Sequence, residues 1–301
     1  MPAADEHDGS AGHHFTTPED VADSLAAVGY IADPQISGAV FLAGRLGKPV
    51  LAEGPAGTGK TELAKALSRV TGARLIRLQC YEGLDESKAL YEWDYRKQLL
   101  RIHASRDAAT EQWQALERDI FSEEYLLARP LLEAIRSEDD VVLLIDEVDR
   151  LDIETEALLL EVLSDFQVSI PEFGTVTARR RPLVLLTSNN SRELSEALKR
   201  RCLFLHIGYP GAEREREIVR SAVPGISEHL ATQLTQVVVT LRGLQLKKKP
   251  SVSETIDWAR TLLLFESSEV DPAGVVAALP VLLKHQSDIE LATRELGQVS
   301  S

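Results

Sequence analysis

The chain has 301 residues and a formal net charge of −14, with 44% of its residues hydrophobic and 27% charged. That length accommodates one large core or two domains of ordinary size, and the balance is that of a globular protein. The acidic excess argues against nucleic acid as the main partner, since phosphate contact draws on a basic surface, and no run approaches about eighteen uninterrupted apolar residues, which excludes a membrane-spanning helix.

The first fourteen residues, MPAADEHDGSAGHH, are polar and have no apolar stretch. They read as a disordered tail and not as a secretory signal, so a cytoplasmic address is expected. Thr17-Pro18-Glu19-Asp20 predicts a helix start, with a hydroxyl cap and proline at the first position. That helix should run to about Val28, where Gly29 stops it. A second is expected over about Pro34–Leu46, followed by a short buried strand at Pro49–Ala52. Further strands are expected at Arg74–Gln79, Val141–Ile145 and Leu183–Thr187, with helical stretches between them. This alternation predicts an α/β fold, a parallel sheet covered on both faces.

Within the long stretch Tyr81–Arg129, Tyr91, Trp93 and Tyr95 alternate, which would place three rings on one face of an extended segment. Either a half-buried hairpin or a partner-facing insertion fits that pattern. Helices are expected at Ala108–Arg118 and Glu124–Ile135, and a hairpin over Gln167–Ala178 with Gly174 in the turn. Beyond Gly208-Tyr209-Pro210-Gly211 helical periodicity takes over, at Ala212–Ala222, Ser227–Leu241, Ser251–Phe265 and Pro272–Glu295, the last interrupted by Pro280. The expected organisation is a tail over 1–14, an α/β domain over 15–208 and an all-helical lid domain over 209–301.

Two cysteines, Cys80 and Cys202, lie far apart and carry neither a disulfide framework nor a zinc spacing. Arg179–Arg181 and Lys247–Lys249 are the candidate basic patches, with solvated turns as the alternative.

The chemistry concentrates in three places. Gly54-Pro55-Ala56-Gly57-Thr58-Gly59-Lys60-Thr61 matches GxxxxGK[ST] in full, with apolar Val50-Leu51-Ala52 before it and a helical run from Glu62 to Leu67 after it. Glycines let backbone N–H groups wrap phosphates, and the helix N-terminus adds its positive end. Lys60 would reach the β- and γ-phosphates of ATP, and the Thr61 hydroxyl would ligate Mg²⁺. Secondly, the strand from Val141 ends in Asp146 and Glu147. Two carboxylates closing a buried strand need a cation nearby; Asp146 can hold Mg²⁺ through water, and Glu147 can polarise the attacking water. Thirdly, the strand from Leu183 ends in Asn189 and Asn190. Asn189 can position the water or read the γ-phosphate, or merely cap a helix, with Asn190 as the fallback. In Ala197-Leu198-Lys199-Arg200-Arg201-Cys202, Arg201 first and Arg200 second are candidates for an arginine that completes a neighbouring subunit's site. Solvated helix-end charges are the alternative.

This ordered set resembles an AAA+ ATPase, a resemblance covering roughly residues 15–295. Within that superfamily the long insertion before Asp146, Leu144–Arg150, Glu156–Glu161 and Gln167–Ile170 resemble the MoxR family. Gln79–Gly83, Leu90–Tyr95 and Pro250–Trp258 are similar to the branch associated with maturing molybdenum-containing carbon monoxide dehydrogenases. The resemblance implies a homo-oligomer in the form of a hexameric ring, a partner with a von Willebrand A-type domain, and chaperone-like remodelling of a metalloenzyme client. It carries nucleotide roles to Gly54–Thr61, Asp146, Glu147, Asn189 and Arg201, and implies that Tyr30 and Ile31 approach the adenine. Two departures stand out. Glu254 occupies the place where many relatives have an arginine at the start of the third lid helix, and no aromatic-hydrophobic-glycine pore loop is present. A DNA-associated AAA+ motor or clamp loader, a P-loop small-molecule kinase and a nucleotide-gated binding module with negligible turnover are the alternative readings. The kinase would need neither Glu147 nor the paired arginines.

Overall fold

A computed structural model describes residues 14–104, 119–267, 269–270 and 272–299. Two helices come first, α1 Pro18–Ala27 and α2 Pro34–Leu46, followed by β1 Val50–Glu53, α3 Lys60–Thr71 and β2 Arg74–Gln79. Next come α4 Glu86–Ala89, β3 Tyr91–Trp93, α5 Tyr95–Ala104, β4 Leu126–Ala128 and α6 Pro130–Arg136. The chain continues through β5 Val141–Asp146, α7 Ile153–Asp165, β6 Gln167–Ile170, β7 Gly174–Thr177, β8 Leu183–Ser188, α8 Glu196–Lys199 and β9 Leu203–His206. Five helices close it: α9 Ala212–Ala222, α10 Glu228–Gly243, α11 Val252–Leu264, α12 Pro272–Leu282 and α13 Gln286–Val299.

Five strands form one parallel sheet in the order β2-β5-β8-β1-β9. Its central strands carry no polar face because both faces are covered. On β5, Val141, Leu143 and Ile145 point into one apolar cluster, and Val142 and Leu144 into the other. Strand β8 divides in the same way, Val184 and Leu186 against Leu183 and Leu185. This is the two-residue period of a strand read from both sides. The helices α9–α13 bury a third cluster, in which Trp258, Leu234, Val238, Leu241 and Leu279 are fully enclosed.

Local chemistry sets the helix starts. Thr17 caps α1 by accepting from the Asp20 amide at 3.2 Å, with Pro18 in the first turn. Asp33 caps α2 through the Ile36 amide at 2.8 Å, and Gly47 ends it with a positive φ of 60°. The hairpin over β6 and β7 forms in register, Ile170 opposite Gly174.

Four features differ from the sequence reading. Tyr95 leaves the ring row, because Asp94 accepts from the Lys97 amide and starts α5 there. Trp93 is buried, meeting Tyr91 and Phe121 edge-on, whereas Tyr95 is exposed. The helix expected over Glu124–Ile135 is instead a short turn, strand β4 and helix α6, since Pro130 can begin a helix but disfavours helical backbone at Arg129 before it. Strand β4 pairs antiparallel with β3. Pro280 lies inside α12, and the break falls after Leu282. Strand β9 is the fourth, an element that the sequence pattern does not announce. The helix expected over Ala108–Arg118 lies outside the described residues.

Trp258 fills the centre of the helical cluster, so Trp258→Ala should cost about 3–5 kcal/mol. Urea unfolding followed by circular dichroism measures it, and a loss below about 1 kcal/mol would contradict the packing described.

Candidate functional site

Register brings the functional segments together. Glu53 lies level with Ser188 and His206, and Gln79 level with Asp146, so the carboxyl ends of neighbouring strands finish at one edge. That edge is where open parallel sheets bind ligands. The loop from Gly54 leaves β1 there and α3 starts at its far end, capped by Gly59 at a φ of 96°. Gly54 donates to the carbonyl of Ser188 at 3.2 Å. A Cβ on Gly54 would stand 2.1 Å from the carbonyl oxygen of Ile207, so no side chain fits. Gly57 has a φ of 74°, and its Cβ would meet Ser251 Oγ at 2.5 Å. Thr58 closes the loop by donating to the Pro55 carbonyl at 2.9 Å. Lys60 is only 5% exposed, and its ammonium donates to the carbonyls of Gly54 and Pro55, both at 2.7 Å. Burial pulls Lys60 below the usual ammonium range, against the opposing charges of Asp149, Asp146 and Glu147.

Asp146 is 3% exposed and has donors on both carboxylate oxygens. Oδ1 accepts from Thr61 at 3.0 Å and from Thr187 at 2.5 Å, and Oδ2 accepts from Arg77. Glu147 follows with a left-handed backbone, φ 59°, and its amide donates to Thr187 Oγ1 at 2.9 Å. Its Oε2 accepts from Gln79 at 3.0 Å and from Arg150 at 2.8 Å. Asp149 accepts through Oδ2 from the Ser191 amide at 2.9 Å and hydroxyl at 2.5 Å, while Oδ1 is buried without a partner among the described residues. Burial raises the Asp149 carboxyl, but hydrogen bonds from Ser191 together with backbone amides at Asn189 and Asp149 hold it below its ordinary value.

A cavity of about 290 Å³ is bounded by Ala56, Lys60, Thr61, Asp146, Glu147 and Asn189. Asn190, also left-handed at φ 57°, is exposed outside it. A second cavity of about 480 Å³ adjoins it, sharing Gly57, Gly59, Glu62 and Ser253. Tyr30 and Ile31 form one wall of this second space, and Ile218, Val252 and Ile256 from α9 and α11 form another. Burial pushes the Tyr30 phenol well above its ordinary value, a shift that Arg214 partly offsets. Arg214 itself donates to the Ile31 carbonyl at 3.2 Å and pairs with Asp33. Phosphate-sized polar space thus opens into a larger space whose walls mix apolar side chains with Glu62, Arg69, Arg214 and Arg260.

Two candidates lie elsewhere. Arg201 is turned back on its own chain, donating to Ser164 and to the Ala197 carbonyl. Arg200 is exposed, and its guanidinium has no ion pair among the described residues. Glu254 forms a capping box with Ser251 at the start of α11, accepting from the Ser251 amide at 2.6 Å. In the basic runs Arg179 pairs with Glu138 and Arg180 with Asp140, Arg181 stacks over Phe166, and the Lys248 ammonium lies 3.8 Å from Glu254, while the backbone amides of Lys247 and Lys248 donate to Asp288.

Sequence reasoning passes over Thr187, Gln79, Arg150, Asp149 with Ser191, and the α11 residues Val252, Ser253 and Ile256. A signal exists for Thr187, a hydroxyl interrupting the apolar run Leu183–Leu186 two residues before Asn189. The others come together only through folding.

The donor set fits a magnesium nucleotide. The glycine cradle has no room for a Cβ, Lys60 is buried at its rim, and a hydroxyl and a carboxylate converge at Thr61 and Asp146 in the manner of a hard-cation site. Gly54→Ala should therefore cost at least about 2 kcal/mol and weaken nucleotide binding, because the new methyl group forces β1 from Ile207. Thermal melting with and without ATP measures both, and an unchanged melting temperature with full ligand stabilisation would refute the close approach.

The model of the ATPase family associated with various cellular activities (AAA) matches residues 50–209, just over half of the chain. Uncharacterized protein SAB1265c of Staphylococcus aureus (strain bovine RF122 / ET3-1) is 24% identical over 243 residues, 78% of this chain and 81% of that protein. Among solved structures, a point mutant of Thermotoga maritima RuvB matches at 18% identity and a TM-score of 0.48, over 91% of this chain and 72% of that one. The Thermotoga maritima RuvB Holliday junction branch migration motor matches at 17% and 0.45, over 90% and 73%. With its glycine loop, Asp146 and Asn189 all inside the matched stretch, the chain belongs to the AAA family of ATPases.

Proposed function

We propose that this ATPase is of the MoxR type, a cytoplasmic ring-forming machine that spends Mg²⁺-ATP to remodel or help metallate a protein client. A molybdenum-containing carbon monoxide dehydrogenase is the proposed client, with a von Willebrand A-domain protein as partner. The observation that carries the hydrolytic part is the position of Glu147, a carboxylate on the wall of the phosphate-sized cavity that also holds Lys60, Thr61, Asp146 and Asn189.

In this reading, bound Mg²⁺-ATP supplies the scissile phosphoanhydride. Residues Gly54–Thr61 hold the phosphates through backbone N–H groups and Lys60, and Thr61 and Asp146 hold the cation. Glu147 takes the proton from water, and Asn189 orients that water. The adenine lies in the larger space beside Tyr30 and Ile31. Residues 15–208 act as the nucleotide-binding domain and 209–301 as the lid. A neighbouring subunit supplies Arg201 or Arg200, and Arg200 has the freer guanidinium, since Arg201 is engaged by Ser164 and Ala197.

Glu147→Gln should keep ATP affinity within a few-fold and lower hydrolysis by about 10²–10⁴. Steady-state phosphate release with a parallel binding titration tests this, and wild-type turnover in the variant would remove Glu147 from the base role. For the arginines, Arg200→Ala and Arg201→Ala should each be mixed with Lys60→Ala protein. Hydrolysis should reappear in the mixture for whichever residue acts across the subunit boundary, and proven mixed rings without recovery would sink action in trans. The client is sought by affinity capture with ATP-loaded Glu147→Gln protein. Retention of the metalloenzyme supports the reading; stimulation of hydrolysis by duplex DNA, with no protein retained, would replace it with the motor alternative.

A further inference from the structure

A buried ion pair joins two helices of the helical region, outside the candidate catalytic residues. Glu215 of α9 is 0% exposed and Arg242 of α10 is 8% exposed. They meet in a two-point fork: Arg242 Nη2 donates to Glu215 Oε1 at 2.8 Å, and Nη1 donates to Oε2. The third guanidinium nitrogen, Nε, donates to the carbonyl of Pro250 at 2.8 Å. Thr255 of α11 donates to Glu215 Oε1 at 2.7 Å. On its open side the guanidinium lies 4.6 Å from the ring centre of Tyr209, in the segment that joins β9 to α9.

Burying two charges is costly, and a well-packed apolar pair is often no less stable than a buried salt bridge. Stability alone therefore does not account for this pair, whereas its geometry does. The elements it joins bear on the two cavities. Helix α9 contributes Arg214, Ile218 and Ser221 to the larger cavity, and α11 contributes Val252, Ser253 and Ile256. Ser253 also borders the smaller cavity. Pro250, held through its carbonyl, precedes Ser251, which lies against Gly57 so tightly that a Cβ there would approach Ser251 Oγ to 2.5 Å. Tyr209 belongs to the stretch that begins immediately after Ile207, the residue packed against Gly54.

We infer that Arg242 and Glu215 are positioning residues for nucleotide binding: their fork fixes the start of α11 against Gly57 and sets the spacing between the α9 and α11 walls. This inference rests on the nucleotide reading of the two cavities and adds to it a determinant outside them. Arginine is suited to the task because its planar fork specifies orientation as well as charge, which a lysine ammonium does not. Asp257 and Arg260 of α11 pair with each other and have no part in the fork.

The test uses the full chain, Mg²⁺ and a fluorescent ATP analogue titrated to give Kd, together with thermal melting. Replacing both partners, Glu215→Met with Arg242→Met, removes the fork without stranding a charge. The double variant should melt within a few degrees of wild type while its Kd rises about tenfold, about 1.4 kcal/mol of binding free energy. Arg242→Lys keeps the charge but loses the fork, and should weaken binding in the same direction. If the double variant melts far below wild type, Arg242→Lys decides the matter, with Tyr209→Leu as a second readout of the same positioning. A folded variant whose Kd stays within twofold of wild type overturns the inference and leaves the nucleotide site standing. Failure of wild-type protein to bind the analogue overturns the site assignment and this inference together.

Discussion

Asp146 closes a strand whose residues are buried on both faces, and a carboxylate in that place must be fully supplied with donors. Much of the candidate site follows from that requirement. Thr61 comes to Oδ1 from the first turn of α3, Thr187 from the neighbouring strand, and Arg77 comes to Oδ2 from the strand on the other side. The same Thr187 hydroxyl accepts from the amide of Glu147, so the donors that settle Asp146 also fix where the next carboxylate begins. The left-handed backbone at Glu147 is held by these bonds and by Arg150 and Gln79 on its side chain. Strain at a functional position is here over-determined by its neighbours.

Against this, the α9 and α11 side of the cavities is built on a different kind of contact. Its walls mix apolar side chains of two helices, Ile218, Val252 and Ile256, with the charged Arg214 and Arg260, while Glu215 and Arg242 pair with each other out of the cavity. Glu254 serves the helix it starts and accepts a bond from the Ser251 amide. The helical region thus meets the glycine loop at Gly57 through Ser251 and Ser253 at the start of α11.

Legibility in the sequence follows the range of the forces involved. Val141–Asp146 is readable because an uninterrupted apolar run ending in carboxylates fits little besides a core strand that delivers charge to a site, and Gly54–Thr61 because its glycines, lysine and threonine are adjacent along the chain. Caps are equally local, as at Thr17 and Asp33. Strand β9 is hidden by brevity: Leu203–His206 is four residues shortly after two arginines, and only pairing with β1 makes it a strand. The row of rings fails at Tyr95 because one capping aspartate outweighs the alternating pattern. Pro280 misleads because a proline forfeits a single amide bond, which packing of Val275, Leu279 and Leu282 in the helical core can offset. Partners such as Gln79 and Ser191 give no signal, since each acquires meaning only from a residue tens of positions away.

The contact between Gly54 and Ile207 has a mechanical side. Gly54 rests on the carbonyl of Ile207, and Ile207 donates back to Glu53 at 2.8 Å, so the glycine loop and the exit from β9 form a single knuckle. The helical region hangs from this knuckle through Gly208, Tyr209, Pro210 and Gly211. A displacement of the loop therefore starts at the root of the lever and not at its tip, and crosses only a few peptide units before reaching α9. Leverage of this kind depends on backbone lying directly on backbone, and a glycine at position 54 is what lets the two strands' ends come that near.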